Sequence, residues 1–376
     1  MIETIGVIGG GQLGRMLTLV AKRMGYRVVV LDPQEHSPCG QVADEQIVAA
    51  YTDISAMDRL GEEAQIVTYE FENISIDSVE HLEQQGHRVT PSSSVLRITQ
   101  DRLLEKTFVR DCGIATTPFA AVRAESDLDR GIRSVGLPAI LKTVHGGYDG
   151  KGQWRIASLE EARIALRESS GVAMILERVV DFTQELSVIA TRAADDTVVT
   201  YPVAENTHDR GILATTVAPA HVGTNVGKRA EEIACTIGRR LGIVGTYCVE
   251  LFLTRDGELL VNEIAPRPHN SGHYTIDVAP CSQYEQHVRA ICGLPLSPPR
   301  LFTNAIMVNI LGEGTGNHLG GVEELLSDPR IVLHMYGKKH AVARRKMGHF
   351  TMLVDTPIDD AAMASALAAR ERLFWA

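Results

Sequence analysis

The sequence predicts a chain of mixed α/β and α+β class: an open parallel sheet first, an antiparallel core next, and a small mixed domain last. Three observations carry this. Residues 4–98 alternate apolar strands with amphipathic helices, the pattern of a parallel open sheet. Beyond them, strands at 174–180, 185–193 and 197–205 follow one another directly, which reads as antiparallel pairing. The stretch Gly293-Leu294-Pro295-Leu296-Ser297-Pro298-Pro299 then separates a final lobe. With 376 residues the chain exceeds one ordinary core, and the expected domains are 1–98, 99–296 and 297–376.

Thr4 to Ile8 is the first strand. Gly9-Gly10-Gly11-Gln12-Leu13-Gly14 turns it into a helix with Leu13, Leu17, Val20 and Met24 on one side, and Gly25 stops that helix. Arg27 to Leu31 is the next strand, ending in Asp32, 18 residues beyond Gly14. The βαβ unit with G-x-G-x-x-G admits a dinucleotide site, and with it a nicotinamide-dependent oxidoreductase. It equally admits a helix packed tightly on a sheet, or a different phosphate at the helix N-terminus. Asp53 starts a helix carrying Met57, Leu60 and Ala64. Gln65 to Tyr69 is a strand leading into Glu70-Phe71-Glu72-Asn73, which sets two acids at a strand's carboxyl end, where open sheets bind ligands. Ile76 to Gln84 is helical, and Arg88 to Thr90 is extended and ended by Pro91.

Asp101 opens a charged helix that Gly113 closes. Ile114 to Val122 is extended and Ser126 to Val135 helical. Ala139-Ile140-Leu141-Lys142 then delivers a lysine to a strand end. From Gly146 to Gly152 there are four glycines among seven residues. Without Cβ atoms, backbone N–H groups there can converge on one anion, flanked by Lys142 and Lys151. This is a candidate cradle for ATP phosphates. Leu159 to Glu168 and Asn225 to Leu241 are helices.

Thr246 to Thr254 and Glu258 to Ile264 form a hairpin around Asp256-Gly257. A two-residue loop pairs Arg255 with Glu258 and therefore sets Glu250 opposite Glu263, with Cβ atoms roughly 4.5–5.5 Å apart. Two carboxylates so placed among apolar neighbours repel, unless one is protonated or a cation lies between them. Mg²⁺ with phosphate oxygens as its other ligands answers the pair. Asn262 joins them only through a local bulge. Ala265-Pro266-Arg267-Pro268-His269-Asn270-Ser271-Gly272-His273 follows as a fixed loop, with an arginine fork suited to an anion. Cys281 to Cys292 is a helix. The last lobe has strands at 305–311, 331–336 and 349–355, helices at 322–326 and 359–373, and a basic hairpin of Lys338, Lys339, Arg344, Arg345 and Lys346.

The formal net charge of -10 argues against nucleic acid as the main partner. The six cysteines are scattered, with no C-x-x-C pair, which fits a reducing compartment. The N-terminus does not read as a signal peptide, and no apolar run approaches the roughly 20 residues that span a bilayer. A cytoplasmic protein with no membrane partner is expected.

These residues together resemble the ATP-grasp ligases, and within them the 5-(carboxyamino)imidazole ribonucleotide synthetase family. The resemblance rests on GVIGGGQLGRM from Gly6, LDP from Leu31, QVAD from Gln41, TYEFENI from Thr68, QDR from Gln100 and LKT from Leu141. It continues with GGYDGKGQ from Gly146, NEIAPRPHNSGH from Asn262, YGK from Tyr336 and RRKMGH from Arg344. Cys39 before QVAD and Tyr274 after HNSGH are small departures. The resemblance implies a central ATP-grasp core holding Mg²⁺-ATP. Arg102, Lys142 and the loop with Gly147, Gly150, Lys151, Gly152 and Gln153 would contact phosphates. Glu177, Arg178, Val179 and Val180 would meet adenine, Glu185 the ribose, with His208, Asn262 and Glu263 nearby. Glu250 and Glu263 would hold the metal.

The implied reaction is carboxylation of aminoimidazole ribonucleotide through carboxyphosphate, from ATP and bicarbonate, in purine biosynthesis. Tyr148, Asp149, Arg267 and His269 are the candidates at the reacting end. Gln12, Glu70, Lys338 and Arg345 are the candidates for the ribonucleotide. A homodimer that passes its product to a mutase is implied as well. A ligase using formate, an oxidoreductase and a non-catalytic nucleotide-binding module are the alternatives.

Overall fold

The structure, a computed structural model, describes residues 2–146, 152–169, 172–314 and 316–376. Its first layer is a parallel sheet of β1 (Thr4–Ile8), β2 (Arg27–Leu31), β3 (Glu45–Ile47) and β4 (Ile66–Tyr69), in the order β3-β2-β1-β4. β1 is buried along its whole length because helices cover both faces. α1 (Gln12–Arg23) packs Leu13, Met16 and Leu17 on one side. α2 (Ile54–Glu63) and α3 (Ile76–Gln84) pack Met57, Leu60, Val79 and Leu82 on the other. Asp53 caps α2 by accepting from the Ala56 amide, and Ser75 caps α3. An unanticipated helix, α4 (Ser93–Gln100), follows Pro91. Asp101 ends it and caps α5 (Arg102–Asp111) through the Leu103 and Leu104 amides.

A small lobe comes next. β5 (Phe119–Val122), β6 (Ala139–Thr143), β7 (Gln153–Ile156) and β8 (Met174–Arg178) form an antiparallel sheet in the order β5-β8-β6-β7. α6 (Glu125–Val135) and α7 (Leu159–Glu168) bury Leu128, Val135 and Ala162 against it. Gly152 has a φ of 66°, and a Cβ there would meet Thr143 Oγ1 at 2.9 Å, so the hairpin β6–β7 closes on glycine.

The remaining strands build one large sheet. They are β9 (Phe182–Arg192), β10 (Val198–Thr200), β11 (Ala204–Asp209), β12 (Ile212–Ala218), β13 (Gly245–Thr254) and β14 (Leu259–Ala265). To these the last lobe adds β15 (Asn304–Leu311), β17 (Ile331–Met335) and β18 (Lys346–Val354). The order is β14-β13-β9-β11-β12-β15-β18-β17, with β10 on β9. The expected strand at 197–205 is therefore two, and β12 is an addition. β16 (Leu319–Gly320) pairs with β19 (Phe374–Trp375) apart from this sheet. Residues 305–308 pair one for one with residues 215–218, so the sheet runs unbroken from the central region into the last lobe.

α8 (Thr224–Leu241) covers one face, placing Ile233, Ile237 and Leu241 over Val188, Tyr247 and Val249. Each such side chain, fully buried, contributes about 1.5–3 kcal/mol. α9 (Thr275–Val278) and α10 (Gln283–Ile291) follow β14, and α10 sets Tyr284, Val288 and Ile291 against the first sheet. α11 (Val322–Leu326) and α12 (Asp360–Glu371) close the last lobe around Leu325, Phe350 and Ala366.

The hairpin β13–β14 does set Glu250 opposite Glu263, by another route than a two-residue loop. The Thr254 amide donates to the Glu258 carbonyl at 2.9 Å, so three residues, Arg255, Asp256 and Gly257, form the loop. Leu253 then pairs with Leu259, one position off the expected register. Asn262 is the extra residue of a β-bulge, and past it the register returns to the pairing of Glu250 with Glu263.

Candidate active site

The carboxyl end of the first sheet, the loop after β14 and the turn between β17 and β18 enclose a cleft of about 820 Å³. Gln12, Glu70 and Glu72 line it from the first sheet. Arg267, His269 and Asn270 come from the loop, and Lys338, Arg344, Arg345 and Lys346 from the turn. The basic hairpin is thus one wall of the cleft. In a chain with net charge -10, these four cations make it a candidate anion site.

The glycine turn before α1 already holds its anion. Glu70 accepts from the Gly11 amide at 2.6 Å and the Gly14 amide at 2.8 Å. Burial pushes its carboxyl above the usual range, although both amides favour the charge. A Cβ at Gly11 would lie 2.3 Å from Glu70 Oε1. Asp32 accepts from the Gly10 amide at 2.7 Å and from the Tyr51 hydroxyl at 2.6 Å. The two features that would bind a dinucleotide, the helix N-terminus and the acid after β2, are both engaged inside the protein.

Arg267 closes a fork onto Glu72 through Nε and Nη2, and its Nη1 donates to the Pro268 carbonyl at 3.2 Å. Next to it, Nδ1 of His269 accepts from the Ser271 amide at 3.3 Å. The imidazole proton therefore lies on Nε2, 3.5 Å from Glu250 Oε1. Burial and the Arg267 charge hold His269 well below its ordinary pKa, so the ring is neutral.

A second cluster adjoins the cleft at the bulged hairpin. Burial, then the facing Glu263, push Glu250 up to about 7. Arg102 Nη1 lies 3.4 Å from Glu263 Oε2. Glu185 pairs with Nδ1 of His208 at 2.8 Å. Burial opposes the charge on His208, but Glu185 and Glu250 outweigh it and raise its pKa. Glu185, His208, Glu250 and Asn262 line one small pocket, so the bulge turns Asn262 toward Glu250. Two opposed carboxylates that cannot both ionise without cost suit a hard divalent cation.

The small lobe supplies the rest. Lys142 Nζ donates to Glu177 Oε2 at 2.9 Å. Burial opposes the Glu177 charge, yet Lys106 and Lys142 hold the carboxylate below its usual range. Its Oε1 is buried and has no partner among the described residues. The amides of Arg178 and Val179 donate to the carbonyls of Pro118 and Pro138, and the Arg178 side chain turns to the Val135 carbonyl. Gln153 begins β7 opposite Lys142. Gly147, Tyr148, Asp149, Gly150 and Lys151 lie outside the described residues.

Sequence reasoning missed Lys106, which joins the two clusters. It lies 3.6 Å from Glu177 and donates to the Asn262 carbonyl at 3.2 Å. Its spacing from Arg102 on one helix, i to i+4, is the signal that could have found it. Glu72 and Asn270 were missed as partners because theirs lie far away in sequence.

Known proteins resemble this chain along nearly its whole length. Residues 2–100 match the ribonucleotide synthetase preATP-grasp domain, residues 107–284 the ATP-grasp domain, and residues 305–362 the phosphoribosylaminoimidazole carboxylase C-terminal domain. The N5-carboxyaminoimidazole ribonucleotide synthase of Bacillus subtilis is 45% identical over 356 residues, 93% of this chain and 91% of its own length. A crystal structure of an N5-carboxyaminoimidazole ribonucleotide synthetase in complex with ADP superposes with a TM-score of 0.91 at 42% identity, covering 98% of this chain and 96% of the other. The Aspergillus clavatus synthase, in complex with ADP and 5-aminoimidazole ribonucleotide, gives a TM-score of 0.90 at 29% identity, covering 98% and 99%. The chain belongs to the N5-carboxyaminoimidazole ribonucleotide synthase family and is an ATP-grasp ligase of purine biosynthesis.

Proposed function

We propose that this chain carboxylates the exocyclic amine of 5-aminoimidazole ribonucleotide with ATP and bicarbonate, using the residues located above. The carrying observation is a basic-walled cleft that opens beside a facing glutamate pair. An oxygen of bicarbonate attacks the γ-phosphorus, the bond to the bridging oxygen breaks, and ADP leaves. Carboxyphosphate then loses phosphate while its carbon joins the amine nitrogen, which gives up a proton.

Glu250 and Glu263, with Asn262 beside them, would hold Mg²⁺, which when bound offsets charge on the β- and γ-phosphates. Arg102, Lys142, Gly152 and Gln153 act on the phosphates together with Gly147, Gly150 and Lys151. The strand end Glu177–Val180 receives adenine, and Glu185 with His208 the ribose. Lys338 and Arg345 take the 5′-phosphate of the ribonucleotide, with Gln12 and Glu70 on the opposite wall. Arg267 stays on Glu72 and lends its field to the anionic intermediate. His269 is neutral with its proton on Nε2, so it donates a hydrogen bond and orients. Tyr148 and Asp149 are the partners proposed for carboxyphosphate and the amine. The same reading makes the working form a cytoplasmic homodimer whose product passes to a mutase.

ADP release should rise only when bicarbonate and aminoimidazole ribonucleotide are both present. Stimulation by formate in place of bicarbonate would turn the assignment toward another ATP-grasp ligase.

A further inference from the structure

Away from this cleft, the joint between α9 and the last lobe holds a cluster that the reaction does not use. Asp277 lies on α9, and His334 and His349 face one another across β17 and β18. His334 Nε2 is 2.9 and 3.1 Å from the two Asp277 oxygens. The rings of His334 and His349 stack with centroids 4.6 Å apart. One ligand atom from each of the three residues lies within 4.8 Å of the others.

The nitrogens of His349 give a second, independent sign. The ring is fully buried, and its Nδ1 bonds the Tyr336 hydroxyl at 2.8 Å. Its Nε2 is buried with no partner among the described residues. Neighbouring His273, whose ring centroid is 4.7 Å from that of His349, meets the Tyr284 hydroxyl at 3.1 Å and the Gln283 amide at 3.4 Å through Nδ1, and its Nε2 has no partner among the described residues. Leaving a buried polar nitrogen without a partner is costly, so such an atom calls for an explanation. Metal-bound imidazoles characteristically engage one nitrogen in a hydrogen bond and turn the lone pair of the other to the ion. His349 is arranged that way.

We propose that Asp277, His334 and His349 bind a divalent transition-metal ion of the Zn²⁺ class. Two imidazoles and one carboxylate favour Zn²⁺ or Co²⁺ over Mg²⁺. Ligand atoms around a tetrahedral zinc ion, with bonds of about 2.0–2.1 Å, stand roughly 3.3 Å apart. The Asp277–His334 separation already meets that spacing, and His349 offers a nitrogen within 4.8 Å of both. The fourth position falls to water. The ion would tie α9, just after the loop of His269, to the two strands whose connecting turn forms the basic wall.

The test uses full-length protein stripped with a chelator and dialysed, then titrated with Co²⁺ alone and followed by visible absorption. One equivalent per chain with a tetrahedral Co²⁺ band is expected, and Zn²⁺ should displace it. Glu263→Gln should keep the band, which separates this site from the glutamate pair. His334→Gln and Asp277→Asn should each weaken binding at least tenfold. If either variant fails to fold, proton NMR of the wild-type Co²⁺ form decides instead, with a strongly shifted, slowly exchanging imidazole N–H expected from His349. Absence of the band, a band unchanged in a folded His334→Gln, or no shifted imidazole signal overturns the proposal.

Discussion

Glu250 and Glu263 face each other across β13 and β14, and they are the pair proposed to hold the metal. An Asp-Gly turn implies a register that sets them opposite, and the structure reaches the same pairing only because a longer loop and a bulge offset each other. Glu263→Gln should stay folded and lose Mg²⁺-dependent ADP release by two or more orders of magnitude. Near-normal turnover would remove the pair from the metal site. His208 sits beside them, with its pKa raised above the ordinary 6.5. Folding thus favours its protonated form, and the stability it lends is full below pH 6.5 and fades as pH rises through the raised value. His208→Asn should lose about 1 kcal/mol at pH 6 and progressively less toward pH 9. Thermal unfolding across that range checks the slope, and an equal loss at both ends would contradict the ionised pair with Glu185.

Among the elements, the hairpin β13–β14 was readable only in part. The three-residue loop and the bulge at Asn262 are two departures that cancel at Glu250 and Glu263. The loop closes on Gly257 at a φ of 80°, the left-handed third position of a three-residue hairpin loop, and the bulge lies where β14 meets α5. There the Ile264 amide donates to Glu105 Oε2 at 3.1 Å. Burial, then Glu263, raise the Glu105 carboxyl well above its usual range, which favours its uncharged form. Glu105→Gln should therefore change stability by less than about 1 kcal/mol, whereas Glu105→Ala strands a buried amide and should cost about 2–3 kcal/mol. Denaturation of the two variants side by side measures the difference. Helix α4 and strand β12 were missed for opposite reasons. α4 is short and lies at an expected domain boundary. β12 has the β-branched residues of a strand (Ile212, Thr215, Thr216, Val217) but needed a partner on either side, and one of them is 90 residues away.

For the whole molecule, what could not be read was what long-range packing decides. Arg267 with Glu72, Lys142 with Glu177 and Asn270 with Asn309 join residues that no periodicity relates. The basic turn at 338–346 was visible as charge, but only the fold brings it across from Gln12 and Glu70. Arg345→Ala should raise the KM for the ribonucleotide about tenfold or more while kcat changes little. Steady-state kinetics at saturating ATP reads this split, and an unchanged KM would return the turn to ordinary solvated surface.

The unbroken sheet bears on how the protein can be cut. β12 pairs with β15 along 215–218, so a fragment ending near residue 300 would bare one side of an apolar strand whose Val217 and Ala218 are buried in the intact chain. Unpaired N–H and C=O groups along such an edge recruit other chains. A nick or premature stop in the linker around Pro298 would therefore yield a sticky product that associates through that edge. Proteolysis there would turn the intact enzyme into a seed for aggregation.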